Sequence, residues 1–285
     1  MSRTVALLTD FGTTDTYVGV MKGVMLNICP DLQLVDLTHA VQPQNVKQAA
    51  FLLLNSYRYF PKGTTFLVVV DPGVGSSRKA LAVRAGDYKP DEYTFVAPDN
   101  GVLTYILREL DEKQVAELDT QGRILGNRSK SHTFHGRDIF APAAAYLAQG
   151  VQLERFSRPA EQYLMLPEPS FHVGEHQITG EVLHIDHFGT AVTSIGILHW
   201  ETPDHLSMRE RYRPKTTQRI DAQSTVIFNG DQWLSPVHKT YAEVAPGETL
   251  ALVGSGGYLE LSINRGSFAA QFGIKIGDPV ELQIG

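Results

Sequence analysis

Cysteine is almost missing from this chain: Cys29 is the single example in 285 residues. One thiol excludes an internal disulfide framework and a cysteine-built zinc site. Cys29 ends the apolar stretch Met25–Pro30 and reads as packing at a helix end. Long apolar runs are missing too. None approaches the ~20 residues that a membrane span needs, so no membrane partner is expected. The first residues show no basic segment followed by an apolar core. No secretory leader is therefore expected, and the cytoplasm is the expected location. Positive charge is scarce: 25 Lys and Arg against 31 Asp and Glu give a formal net charge of −6. That balance argues against nucleic acid as the main partner. The one dense basic stretch (Arg209, Arg211, Arg213, Lys215) alternates like a solvated edge strand. What is present is an ordinary globular composition, 42% hydrophobic and 20% charged, sufficient for one large domain or two smaller ones.

Strands and helices alternate through the first half. Val5–Thr9, Gln33–Leu37, Thr65–Val70, Ala80–Arg84 and Tyr93–Ala97 read as strands. Thr16–Cys29 has helical spacing and stops at Pro30. Asn45–Phe60 is an apolar-faced helix with Asn45 as a plausible cap and Pro61 as its stop. Gly101–Leu110 and Asp138–Gln149 are further helices, the latter capped by Asp138 and ending at Gly150. This order predicts an α/β domain with a mostly parallel, Rossmann-like sheet over residues 1–160. Prolines 159, 167 and 169 mark residues 161–172 as a linker. Over 173–285 the helical period disappears. Gln177–Ile185, Ala191–Ile195, Ser224–Phe228, Thr249–Val253, Tyr258–Ile263 and Pro279–Ile284 are short strands separated by turns. They predict a smaller all-β, barrel-like domain.

The chemistry gathers at strand ends, where ligands bind in open α/β sheets. Asp71-Pro72-Gly73-Val74-Gly75-Ser76-Ser77-Arg78 follows the buried strand Thr65–Val70. Its glycines let the backbone approach a ligand closely. It is a poor phosphate loop, because the order G-x-x-x-x-G-K-[ST] is absent and an acid stands at its entry. Taken alone, it also fits a connecting turn with a solvent-facing arginine. Asp10, in Thr9-Asp10-Phe11-Gly12, ends the first strand. Its carboxylate suits either the paired hydroxyls of a ribose or the cap of the next helix. His135 lies in Phe134-His135-Gly136-Arg137-Asp138, three residues after His132. A lone histidine near a helix start is commonly structural, and two histidines without a further ligand cluster are a weak metal signal, so no metal is expected. What favours chemistry is that Asp, Arg and His are all available beside strand ends. In the second half, Ile185-Asp186-His187-Phe188-Gly189-Thr190 and Gly254-Ser255-Gly256-Gly257-Tyr258-Leu259-Glu260 each fit a hairpin turn.

Six motifs in this order make the chain resemble a known family. They are Thr9–Gly12, Asp71–Arg78, Ala97-Pro98-Asp99-Asn100-Gly101, Phe134–Asp138, Ile185–Gly189 and Gly254–Leu259. The family is that of the S-adenosyl-L-methionine hydroxide adenosyltransferases, relatives of the nucleoside-forming fluorinase and chlorinase, and the resemblance spans nearly the whole chain. It implies cleavage of S-adenosylmethionine at the ribose C5′ carbon, giving adenosine and methionine when water attacks. It implies a homotrimer, with each active site between one subunit's N-terminal domain and its neighbour's C-terminal domain. It places the water-activating residues on Asp71, Arg78 and His135 and the ribose-binding acid on Asp10. It places the contact to the methionine amine on Asp186 and that to the methionine carboxylate on Ser255, with Thr190 and Tyr258 in the substrate site. S-adenosylmethionine is the substrate, so no cofactor is expected.

The halogen-using members carry small or neutral groups where Asp71, Arg78 and His135 stand. An anionic Asp71 would repel a halide a few ångströms away by roughly several kcal/mol in a low dielectric. The short Arg84–Tyr93 connection also lacks the insertion expected of a fluorinase. Water is therefore the expected nucleophile. A halide-dependent synthase and a non-catalytic adenosine-binding module are the alternatives. One departure concerns the base: Thr190 stands where the family usually has an asparagine contacting adenine, and Ser194 replaces a frequent asparagine nearby. Threonine has less reach, so adenine recognition is expected to be weaker or to come from the backbone around Asn264–Gly266.

Overall fold

The computed structural model describes residues 3–86, 92–126, 130–209, 211, 217–230 and 232–284. Arg213, Lys215 and the centre of the Arg84–Tyr93 connection lie outside the described residues. The chain divides into two compact units, Met1–Leu166 and Pro167–Gly285. Leu164 N–H donates to Asp99 Oδ1 and Leu166 N–H to Thr104 Oγ1, so the chain stays pinned to the first unit as far as Leu166. No helix among the described residues is long and apolar enough to cross a membrane.

The first unit runs β1 (Thr4–Thr9), α1 (Tyr17–Ile28), β2 (Gln33–Thr38), α2 (Val46–Ser56), β3 (Thr65–Val69), β4 (Ala80–Gly86), β5 (Glu92–Pro98), α3 (Thr104–Glu109), β6 (Lys113–Leu118), α4 (Ala141–Gln149) and β7 (Ser157–Pro159). The strands form one sheet in the order β2-β1-β3-β5-β4-β6-β7. The pairs β1–β2, β1–β3 and β3–β5 are parallel, whereas β4–β5, β4–β6 and β6–β7 are antiparallel. The mostly parallel, Rossmann-like sheet expected from the sequence is thus corrected to a mixed one. The reason is connection length. A parallel return needs a crossover of a dozen residues or more. The helices α1 and α2 supply such crossovers, but only a short link separates Gly86 from Glu92, so β4 must turn back along β5.

The helices sit where packing and caps put them. Asn45 Oδ1 accepts from Gln48 N–H at the start of α2. Gly150, at φ 98°, ends α4 in the left-handed conformation. Met21 and Met25 of α1 and the small Ala141, Ala143, Ala144 and Ala145 around α4 pack with Val5, Leu7, Leu67 and Val69 of the sheet. The small side chains bring α4 close to β1 and β3, and this holds the segment just before α4 near the strand ends. Asp138 is not a helix cap. It lies within a single π turn, Gly136–Phe140, that leads into α4.

The second unit contains β8 (Phe171–Val173), β9 (Gln177–Ile185), β10 (Ala191–Gly196), β11 (Leu198–Trp200), β12 (His205–Arg209), β13 (Thr217–Asp221), β14 (Thr225–Phe228), β15 (Gln232–Leu234), β16 (Val237–His238), β17 (Thr249–Val253), β18 (Tyr258–Ile263), a short helix α5 (Phe268–Phe272) and β19 (Pro279–Gln283). The main sheet follows the path β15-β14-β19-β9-β10-β18-β17-β16, with β8 on β9. Its two end strands are consecutive in the chain, with only Ser235 and Pro236 between them, so the sheet curls into a nearly closed barrel. Ile178, Val182, Ala191, Ile195, Leu259, Leu261 and Phe268 fill it. Strands β11, β12 and β13 form a separate antiparallel sheet.

Candidate active site

Asp10 and Asp71 leave neighbouring parallel strands at one edge of the sheet, because Thr9 of β1 pairs with Val69 of β3. Asn100 Nδ2 donates to Val70 O and holds the end of that edge. The Asp71–Arg78 loop then folds back on itself. Arg78 Nε donates to Asp71 Oδ1 at 2.9 Å, and Arg78 Nη2 donates to Asp71 Oδ2. The same Nη2 lies 2.9 Å from His135 Nδ1. Arg78 thus bridges the acid and the imidazole, with its guanidinium 5.0 Å from the centre of the buried Phe140 ring. The side chains of Arg78 and Asp71 are only 9% and 5% exposed, so their charges meet each other rather than bulk solvent.

Gly75 makes this convergence possible. Its φ is +80°, and a Cβ there would lie 2.5 Å from the carbonyl oxygen of His132. Only glycine combines that backbone with that contact, and the contact brings the loop against the segment carrying His135. Arginine can only donate, so His135 Nδ1 is the acceptor and the ring proton sits on Nε2. Burial, followed by the positive charge of Arg78, holds the His135 pKa below its ordinary value of 6.5. Asp138 is structural here. It accepts from Ser131 N–H and from Arg137, and these bonds outweigh its burial and keep its pKa below the ordinary value.

Asp10 Oδ2 accepts from Gln44 N–H at 2.8 Å, not from the first turn of α1. Helix α1 begins after Thr16, with no side-chain cap. Phe11, Tyr17 and Phe134 form an aromatic cluster, with Phe134 edge-to-face on the other two, that joins the Asp10 turn to the His135 segment. Among the described residues no group of three or more His, Cys, Asp or Glu is placed to hold a metal ion.

The second unit has its own cleft of about 840 Å³, lined by Asp186, Thr190, Ser255 and Glu260 among others. Asp186 Oδ1 accepts from Phe188 N–H and Thr190 N–H, which fixes the β9–β10 turn and orients the carboxylate. Thr190 Oγ1 pairs with Ser262 Oγ at 3.0 Å. Asn264, Arg265 and Gly266 also line the cleft. Ser194 does not, because its hydroxyl donates to Ser170 O and accepts from Glu181 N–H. Tyr258 is buried beside the cleft rather than in its lining, and its hydroxyl accepts from Arg211. Glu260 and Lys239 line the cleft without having been singled out in the sequence. An acid in the middle of an apolar strand was the available signal for Glu260. Burial, and then the charge of Asp186, push its pKa up to about 7. Its carboxyl occupies the space a side chain on Gly254 would need.

A mixed α/β unit followed by a β-barrel unit, with an acid–guanidinium–imidazole constellation at strand ends, defines a class that comparison identifies. Residues 5–157 match the model of the SAM hydroxide adenosyltransferase N-terminal domain, and residues 180–281 match that of its C-terminal domain. The chain belongs to the SAM hydroxide adenosyltransferase family. It is 37% identical to an (R)-S-adenosyl-L-methionine hydrolase from Thermus thermophilus, covering 98% of this chain and 99% of that one. It is 30% identical to a fluorinase from Nocardia brasiliensis, covering 99% and 97%. A crystal structure of a conserved protein from Thermotoga maritima superposes with a TM-score of 0.83 at 35% identity, covering 98% of this chain and 99% of that one.

Proposed function

We propose that this protein hydrolyses S-adenosyl-L-methionine to adenosine and L-methionine, with water attacking the ribose C5′ carbon. The observation that carries the reading is Arg78 bonded at once to Asp71 and His135. A sulfonium leaves as a neutral thioether and needs no acid, so the demand falls on the nucleophile. The C5′–S bond breaks with its electron pair going to sulfur, a C5′–O bond forms, and one water proton must depart. Arg78 and the Nε2–H of His135 donate to the water oxygen and stabilise developing hydroxide. His135 Nδ1 is already occupied by Arg78. Asp71 retains carboxylate lone pairs beyond the two that Arg78 uses, so it receives the proton. No cofactor takes part in this scheme.

Asp10 reads the ribose hydroxyls. In the second unit Asp186 meets the methionine ammonium and Ser255 its carboxylate. With the Thr190 hydroxyl turned to Ser262, the backbone at Asn264–Gly266 reads adenine. Each complete site is formed in a homotrimer, from the first unit of one copy and the second unit of its neighbour, and the enzyme works in the cytoplasm. The hydrolase relatives are named for the (R) sulfonium epimer, and this chain is taken to share that preference.

The test is product analysis with each sulfonium epimer, in buffer with and without chloride. Adenosine and methionine in both buffers, formed faster from the (R) epimer, are expected. Formation of 5′-chloro-5′-deoxyadenosine would replace this reading with a halide-dependent synthase. Tight adenosine binding with no methionine released would replace it with a binding module.

A further inference from the structure

We infer that His39 is a positioning residue for Asp10: it locks the Thr9–Gly12 turn that presents the ribose-reading carboxylate. The proposal rests on the ribose role of Asp10 given above. His39 lies just beyond β2 and is 7% exposed, and Thr9 is fully buried. A carboxylate faces the imidazole, with Asp36 Oδ1 2.9 Å from Nε2, within ion-pair reach though off hydrogen-bond alignment. Lys22 Nζ donates to the other oxygen of Asp36 at 2.6 Å. With the ring proton on the side facing Asp36, His39 Nδ1 accepts from Thr9 Oγ1 at 2.8 Å. Thr9 Oγ1 in turn accepts from Phe11 N–H at 3.2 Å. The backbone closes the ring, with Gly12 N–H donating to His39 O at 2.8 Å.

Asp10 is therefore enclosed on both sides by residues tied to one imidazole. Its own Oδ2 is aimed by Gln44 N–H, from the loop that follows His39. One carboxylate oxygen is held by the protein and the other is left for a ligand. A turn of four residues has many conformations of similar energy, and a ribose diol rewards only the one that aligns both acceptors. The chain from Lys22 through Asp36, His39 and Thr9 to Phe11 selects it before ligand arrives. No residue of that chain touches the reacting atoms.

The test uses adenosine binding by calorimetry on the full chain, beside KM and kcat for S-adenosylmethionine, with thermal melts to confirm folding. Asparagine places its amide near the Nδ1 position, whereas glutamine reaches toward Nε2. His39→Gln and Thr9→Val should each weaken adenosine about tenfold, the equivalent of one lost hydrogen bond, and raise KM more than they lower kcat. His39→Asn should bind near the parental level. In an Asp10→Asn background, His39→Gln should have no further effect, because the group it positions has been removed. Unchanged adenosine binding in folded His39→Gln and Thr9→Val, or an undiminished effect in the Asp10→Asn background, would overturn the proposal. A parent that binds adenosine but releases no methionine would instead refute the hydrolase reading and leave this one standing.

Discussion

The two units treat buried charge in opposite ways. In the first, Asp71, Arg78 and His135 satisfy one another: the acid accepts twice from the guanidinium, which also donates to the imidazole. In the second, Asp186 gives one oxygen to a turn, and Glu260 sits half-buried beside it at a pKa pushed up to about 7. A group that must meet a transition state is best fixed beforehand, since ordering it during reaction raises the barrier. A group that binds a charged ligand keeps acceptor capacity that the ligand will fill. Under the hydrolase reading proposed above, the first unit would supply the chemistry and the second the recognition.

The largest break in this comparison comes from Arg78→Met. It leaves Asp71 as a buried carboxylate with no guanidinium, a change that costs about 3–5 kcal/mol of stability. Loss of a preorganised donor should also slow methionine release by at least about 10²–10³-fold. Denaturant melts and single-turnover rates measure the two losses. Parental values for both would mean that the internal pairing does not define the first unit. Gly75→Ala attacks the same constellation through the backbone. A Cβ at φ +80°, pressed on the His132 carbonyl, should cost about 1–3 kcal/mol. The loop would retreat from His135, and kcat should fall more than KM rises.

Much of this was legible in the sequence because it lay in local patterns. Short strand-like runs between turns marked β9, β10, β14, β17, β18 and β19 of the barrel though not β15 or β16, and the apolar β-branched run Thr65–Val70 before an acid marked the strand end that holds Asp71. Asn45 and Gly150 announced their helix ends. The antiparallel half of the first sheet was missed because β6 starts on exposed polar residues, β7 has only three residues, and the short Gly86–Glu92 link was not read as the turn that sends β4 back along β5. Asp138 looked like a cap, but it lies inside a π turn, and its carboxylate accepts from Ser131 N–H and the adjacent Arg137 rather than from the start of α4. For Glu260 the local signal, an acid inside an apolar strand, was there; what the pattern could not show is that the curl of the sheet places it beside Asp186 and above a glycine that leaves it room.

Glu260→Gln sharpens the comparison from the side of the second unit. The folded pKa of about 7 lies above the ordinary 4.5. Stability from protonated Glu260 is therefore fully present below pH 4.5 and is lost as pH rises through about 7. Glutamine has nothing to ionise. The stability of the variant relative to the parent should grow across that window, by no more than about 3 kcal/mol. Unfolding free energies at pH 4.5, 6 and 8 measure it. A flat difference would mean that Glu260 is charge-compensated within the fold, as Asp71 is.

The smallest effect concerns His135, and its sign is opposite to that of Glu260. Burial and the neighbouring Arg78 charge both disfavour the imidazolium, so the folded pKa lies below 6.5. Folding stability from this group is present above pH 6.5 and is lost as pH falls through the lowered value. Activity should follow the same group, since a protonated His135 would turn an N–H toward Arg78 and break the bridge to Asp71. The acid limb of kcat against pH should therefore lie below 6.5, and His135→Asn should remove it while lowering kcat at every pH. An acid limb at or above 6.5 would mean that the Asp71 charge outweighs burial and Arg78 at the imidazole. The first unit would then hold a histidinium, and His135 would bind the water as a second cation rather than as a neutral donor.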